Sequence, residues 1–204
     1  IGRTFTGSGD VTAAVSVVVK DVWSSNKQVV FGGDGYSEAW HEEAKARGLK
    51  NLRTTPDALP WITNRQTVKT FGAYNVLSER ELDARFEVFA EQYAVKLNIE
   101  CETAAEMART MILPAAVRHL ARLRDGGVEA LVTEFEPLVS ELHAAIVTLE
   151  EVNKAENQVD DPPIAWAKYM RDKGIPAMTA VRGVADDLEK LVSDDLWPLP
   201  KYSE

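Results

Sequence analysis

The chain has 204 residues, 45% of them hydrophobic and 27% charged, and its 23 basic and 32 acidic side chains leave a net charge of −9. Disordered and collagen-like classes are excluded by that composition, and no stretch approaches the roughly 18 consecutive apolar residues of a membrane span. The single cysteine, Cys101, rules out an internal disulfide framework and any multi-cysteine zinc site. An acidic chain without a secretory leader and without a basic patch is expected to be cytoplasmic and to bind neither nucleic acid nor membrane. The opening Ile1-Gly2-Arg3 without Met, and the close on Trp197-Pro198-Leu199-Pro200-Lys201-Tyr202, suggest a piece of something larger.

In chain order, Asp10 is placed to cap a helix whose Val11, Val15, Val18 and Val22 step by four, three and four. Val29-Val30-Phe31 reads as a short buried strand, stopped by Gly32-Gly33-Asp34-Gly35. Ser37 caps the next helix, with Glu38 in its first turn and Gly48 as its end. Thr54-Thr55-Pro56-Asp57 is turn chemistry, and a brief helix is expected from Arg65 to Tyr74 with Asn75 as its stop.

From Ser78 onward the pattern is helical, and the charge changes too: residues 1–77 carry a net +2 and residues 78–204 a net −11. Ser78-Glu79-Arg80-Glu81 is a capping box, followed by Leu82, Phe86, Phe89, Tyr93 and Leu97 at helical spacing. Thr103 to Glu106 repeats the box and is expected to open another segment, with Met107, Met111 and Leu120 inward. After the break at Gly126-Gly127, Val128, Leu131, Phe135, Leu138, Leu142, Ala145, Leu149 and Val152 form a heptad-like seam. Asp160-Asp161-Pro162-Pro163 starts a helix with Trp166 and Tyr169. Gly174 interrupts it, and Met178, Val181, Ala185, Leu188 and Val192 form the last stripe. Pro114 and Pro137 fall inside helical pattern and should kink or restart their helices. The expected architecture is mainly α: an antiparallel helical bundle over 78–204 with kinked long helices, preceded over 1–77 by a small mixed α/β lobe with one short strand.

Chemistry is scarce. His41-Glu42-Glu43-Ala44-Lys45 begins like a zinc-protease helix but has Lys45 where the second ligand belongs. Glu38-Ala39-Trp40-His41 is one Glu-x-x-His element where di-iron bundles need two. His119 and His143 have no partner at ligand spacing. The glycine turn at 32–35 lacks the Gly-Lys-Ser/Thr ending of a phosphate loop. The pairs Asp160-Asp161, Asp186-Asp187 and Asp194-Asp195 read as helix starts or solvated faces, because adjacent helical side chains diverge. Glu100 and Glu102 beside Cys101 disfavour its thiolate. No catalytic, cofactor-binding or metal residue is therefore assigned. Trp61, Trp166 and Trp197, near turns or proline, are core residues or docking anchors.

Two blocks are specific. Val30-Phe31-Gly32-Gly33-Asp34-Gly35-Tyr36-Ser37-Glu38-Ala39-Trp40 and Leu52-Arg53-Thr54-Thr55-Pro56-Asp57-Ala58-Leu59-Pro60 resemble the C-terminal region of type III glutamine synthetases. Gly72 to Leu82, Glu91-Gln92-Tyr93, Asn98-Ile99-Glu100, Ile112-Leu113-Pro114-Ala115 and the ending Trp197 to Tyr202 fit the same family. The resemblance implies a helical C-terminal domain of a large ring-forming enzyme that joins ammonia to glutamate with ATP and Mg or Mn. It further implies that the catalytic motifs lie N-terminal to this region. On that reading this chain has no activity of its own, and its partners are the catalytic core of the same polypeptide and neighbouring subunits of a homo-oligomeric ring. The alternative is a freestanding helical-bundle interaction module.

Overall fold

The computed structural model describes residues 10–155 and 162–201 and is mainly helical. The chain divides into two compact units, residues 1–52 and 53–204.

In the first unit, helix α1 (Val11–Asn26) starts at Asp10, whose carboxylate accepts the Thr12 amide at 2.9 Å. Helix α2 (Glu38–Ala46) starts at Ser37, and Gly48 ends it at φ +71°, where a Cβ would be strained. Between the two helices lies the expected strand, and here the sequence reading is corrected. Lys27–Val29 is a 3₁₀ turn, Val30 is extended, and no strand occurs among the described residues. A strand needs a ladder partner; the Val30 carbonyl instead accepts from Arg47 Nη1 at 3.0 Å.

The second unit begins with α3 (Thr55–Ala58), a 3₁₀ turn at Leu59–Trp61 and α4 (Arg65–Ala73). Asn64 caps α4, and Asn75 ends it at φ 53°. Helix α5 (Glu79–Met107) opens on the capping box. Glu81 Oε2 accepts the Ser78 amide at 2.7 Å, and Ser78 Oγ accepts the Glu81 amide at 3.4 Å. The second expected box does not start a helix. α5 runs through Thr103, whose hydroxyl bonds back to the Ile99 carbonyl at 2.8 Å. Its buried side is also smaller than expected. Leu82, Ala90, Ala94, Cys101 and Ala105 face inward, while Phe89 is exposed.

Past α5 the chain makes a π turn, Ala108–Ile112, and continues as α6 (Leu113–Asp125). Pro114 explains the turn: a proline ring cannot follow a regular α-turn without meeting the carbonyl four residues back. The Leu113 amide reaches back five residues to Ala108 instead. The same device recurs where α8 (Pro163–Tyr169) passes through the π turn Met170–Gly174 into α9 (Ile175–Leu191), with Pro176 in its first turn. Gly174 is thus a buried member of a continuous helical path.

Helix α7 (Glu129–Ala155) contains Pro137 without ending there. Its buried residues are Val132, Phe135, Leu142, Ile146 and Leu149, while Val128 and Leu131, the first two members of the expected seam, are about half exposed. The buried set, with half-buried Val139, itself alternates steps of three and four. The helix therefore carries two adjacent apolar stripes, and the core takes mainly the one begun by Val132. It packs with α9, α6 and α5, and α8 lies on α5. Val181, Val184, Ala185 and Leu188 of α9 and Met170 close one continuous core.

Candidate functional site

Three polar clusters and one groove are the places where chemistry could occur. The first explains the Thr54–Pro60 block. Arg171, in the second π turn, donates through Nη1 to Asp57 Oδ1 at 2.7 Å and to Thr54 Oγ1 at 3.1 Å. Its Nε and Nη2 form a fork on Asp172 at 2.7 and 2.9 Å. Thr54 Oγ1 closes the loop on Asp57 Oδ2 at 2.5 Å. The Thr54 hydroxyl, then Arg171, holds Asp57 below the usual carboxylate range, and the Arg171 fork does the same for Asp172. Each carboxylate is spent on a structural bond, so the cluster ties α3 to the second π turn.

The second cluster brings His119, Ser193 and Asp195 together, which sequence spacing could not show. The inventory is that of a nucleophilic triad, but the wiring is not. Ser193 Oγ donates to Asp195 Oδ1 at 2.7 Å, not to the imidazole, and Asp195 is paired with Arg122 at 2.8 Å. His119 Nδ1 faces the Ser193 amide at 3.5 Å, and its ring stands edge-on to Phe135 at 4.9 Å. No base is aimed at the hydroxyl.

Burial lowers the pKa of His119, helped by Arg122 and opposed by Asp195. Its folded pKa therefore lies below its unfolded value of about 6.5. The stability it contributes is complete above that pH and is lost as pH falls through the folded value. The thermal midpoint should accordingly drop as pH is lowered from 7 into this window, and His119→Gln should flatten that drop. An unchanged slope in the variant would contradict the assignment.

The third cluster is a bidentate bridge between the first π turn and α7. Arg109 Nε and Nη2 reach Glu150 at 2.5 and 2.8 Å.

The other sequence candidates fall apart similarly. His41 Nδ1 is 2.9 Å from Asn51 Nδ2 in a local hydrogen bond, and His143 is exposed on α7. Asp34 Oδ1 accepts the Tyr36 amide at 2.9 Å, so the glycine turn caps itself. Asp186 pairs with Arg182, Asp187 with Lys190 and Asp194 with Lys201. The pair Asp160-Asp161 lies outside the described residues. Cys101 is buried on α5, facing Gly174. Among the described residues no three of His, Cys, Asp and Glu converge as metal ligands. The ATP and divalent metals implied by the resemblance therefore do not fit this chain's own side chains, and no reaction step is derived through them.

The groove, about 490 Å³, lies between the end of α5, the first π turn, α9 and the tail at Trp197–Pro200. Met107, expected inward, is part of its open wall, with Met178 opposite. The tail is docked on its own unit: Leu196, Trp197 and Leu199 pack against the core. Trp166 packs there too, and Trp61 is partly exposed in its 3₁₀ turn.

A helical chain whose reactive side chains are all absorbed into structure matches what the comparisons return. The model of the glutamine synthetase C-terminal domain matches residues 14–129. The chain belongs to that family. It is similar to the type-3 glutamine synthetase of Dictyostelium discoideum, at 32% identity over 94% of this chain and 28% of the relative. It is also similar to glutamine synthetases of Bacteroides fragilis (strain YCH46), at 29% identity over 94% of the chain and 28% of the relative, and of Butyrivibrio fibrisolvens, at 30% over 97% and 30%. The glutamine synthetase C-terminal domain thus spans under a third of the length of these relatives and corresponds to their C-terminal part. The family match includes Thr54 and Asp57, and relatives also align through the region of Arg171. The specific block is therefore legible as a structural signature of the domain.

Proposed function

We propose that this chain is the non-catalytic C-terminal domain of a type-3 glutamine synthetase, an antiparallel helical bundle that supports the catalytic core or the contacts between subunits of a cytoplasmic homo-oligomeric ring. The full-length enzyme would join ammonia to glutamate at the expense of ATP, with Mg or Mn bound by upstream residues. No helix among the described residues is long and apolar enough to cross a membrane.

The observation that carries this reading is the state of the polar side chains. Asp57, Asp172, Glu150 and Asp195 each face an arginine and are held below the usual carboxylate range. They are wired as struts between segments and leave no convergent set to grip a substrate. Incubating the purified 204-residue chain with glutamate, ammonia, ATP and Mg²⁺ is expected to yield no glutamine above the protein-free control. Turnover by the chain alone would overturn the proposal.

A further inference from the structure

The first unit hides few of its apolar side chains. Among its described residues the buried hydrophobic side chains are Ala14 and Ala44, whereas Val19, Val22, Trp23, Val29 and Val30 are between 45% and 61% exposed. With Val18 and Asn26 these residues line one continuous concavity of about 380 Å³. A contiguous apolar surface of this kind marks an interaction site. A unit this short, with two alanines as its buried hydrophobic side chains, is not self-sufficient without a surface to lie on. The stripe is also one-sided. Val11, Val15, Val18 and Val22 share a face of α1, and Lys20 lies about 160° around the helix from Val22.

Two facts select the occupant. In the relatives the matching segment is the C-terminal 28–30%, so the remaining polypeptide precedes α1. The ten residues before Val11 can span no more than about 36 Å even when extended, which holds that polypeptide near α1 at a high effective concentration. The concavity is lined by valine and tryptophan with one asparagine and no charged residue, which suits an apolar protein surface and not an ionic ligand.

We propose that the face formed by Val18, Val19, Val22, Trp23, Val29 and Val30 seats on an apolar surface of the preceding, catalytic portion of the same polypeptide. The assignment rests on the reading of this chain as the C-terminal domain of a longer glutamine synthetase. It makes α1 a docking element between catalytic portion and C-terminal domain, with Trp23 as its largest anchor.

The test uses single-cysteine substitutions Val22→Cys and Lys20→Cys, placed both in the full-length enzyme and in the 204-residue chain. Reaction with a water-soluble maleimide is followed by mass spectrometry of the α1 peptide, and the native Cys101 is buried. In the native full-length enzyme Val22→Cys should react about tenfold or more slowly than Lys20→Cys, while in the 204-residue chain the two should react alike. Equal rates in the full-length enzyme would overturn the docking assignment. So would a slow Val22→Cys in the 204-residue chain, which would give the face to a second copy or to residues 53–204. Val19→Cys supplies the same measurement where Val22→Cys fails to fold. Glutamine formation by the 204-residue chain would instead defeat the underlying functional reading and leave the labelling ratio as it stands, so the two failures are distinguishable.

Discussion

Leu142→Ala should destabilise the chain by about 2–5 kcal/mol, whereas Leu131→Ala, three turns earlier on the same helix, should change stability by no more than about 0.5 kcal/mol. Both leucines belong to one heptad-like seam in the sequence. In the structure Leu142 is fully buried and Leu131 is 45% exposed. Removing Leu142 deletes packed methyl groups in the middle of the core, beside the line of Phe135, Ile146 and Leu149, and leaves a cavity the surrounding helices can only partly collapse into. Removing Leu131 trims a side chain already in water. Urea unfolding of the two variants measures the difference. Equal, large losses would mean that the seam begun by Val128, and not the one begun by Val132, faces the core.

Gly174→Val should cost about 1–3 kcal/mol by overpacking, even though glycine is a poor helix former. Gly174 has φ −63°, so conformational freedom is not why it is there. Space is the reason. A Cβ at this position would stand 3.0 Å from Met170 Cε and 3.3 Å from Cys101 Sγ. Alanine can be accommodated by swinging the Met170 methyl, and its helix propensity offsets much of the contact, so Gly174→Ala should be close to neutral. Valine adds two further methyl groups that Met170 cannot clear together with the sulfur on α5. The π turn thus packs its glycine against the small-residue face of α5. Thermal unfolding of the two variants is the check: a Gly174→Val protein as stable as the parent would show that α5 and the second π turn are not in close contact.

How far the fold was legible depended on whether a feature was local. Asp10, Ser37, Ser78, Gly48 and Asn75 mark element ends because a cap or a positive φ acts within a few residues, and they do so in the structure. The stripe Val181, Ala185, Leu188 and Val192 was legible because its helix has one dominant apolar face. Failures came where distant chain decides. Val29 to Phe31 has β-forming residues but no neighbouring strand, so its preference goes unused. On α7 two apolar stripes lie side by side, and only the packing with α9, α6 and α5 selects between them. On α5 the large aromatics suggested the inner face, but the close approach of α8 and the second π turn selects the alanines and Cys101.

The clusters divide in the same way. Nothing in the sequence near Thr54 and Asp57 signals Arg171, which is more than a hundred residues away, although the block that contains them was already the most specific mark of the family. The meeting of His119 with Ser193 and Asp195 was likewise invisible, and its wiring rather than its composition decides that it is structural. The two π turns had a readable cause in Pro114 and Pro176, but a proline inside a pattern allows a kink, a restart or a π turn alike, as uninterrupted α7 with Pro137 shows.

The chemistry of glutamine synthesis, on this account, belongs to polypeptide outside these 204 residues. Titrating Mn²⁺ into the chain in the presence and absence of ATP, with free Mn²⁺ followed by electron paramagnetic resonance, tests that most directly. The spectrum is expected to match that of the buffer or of Mn²⁺–ATP alone at every protein concentration. Saturable, stoichiometric loss of the free Mn²⁺ signal on this chain would contradict it.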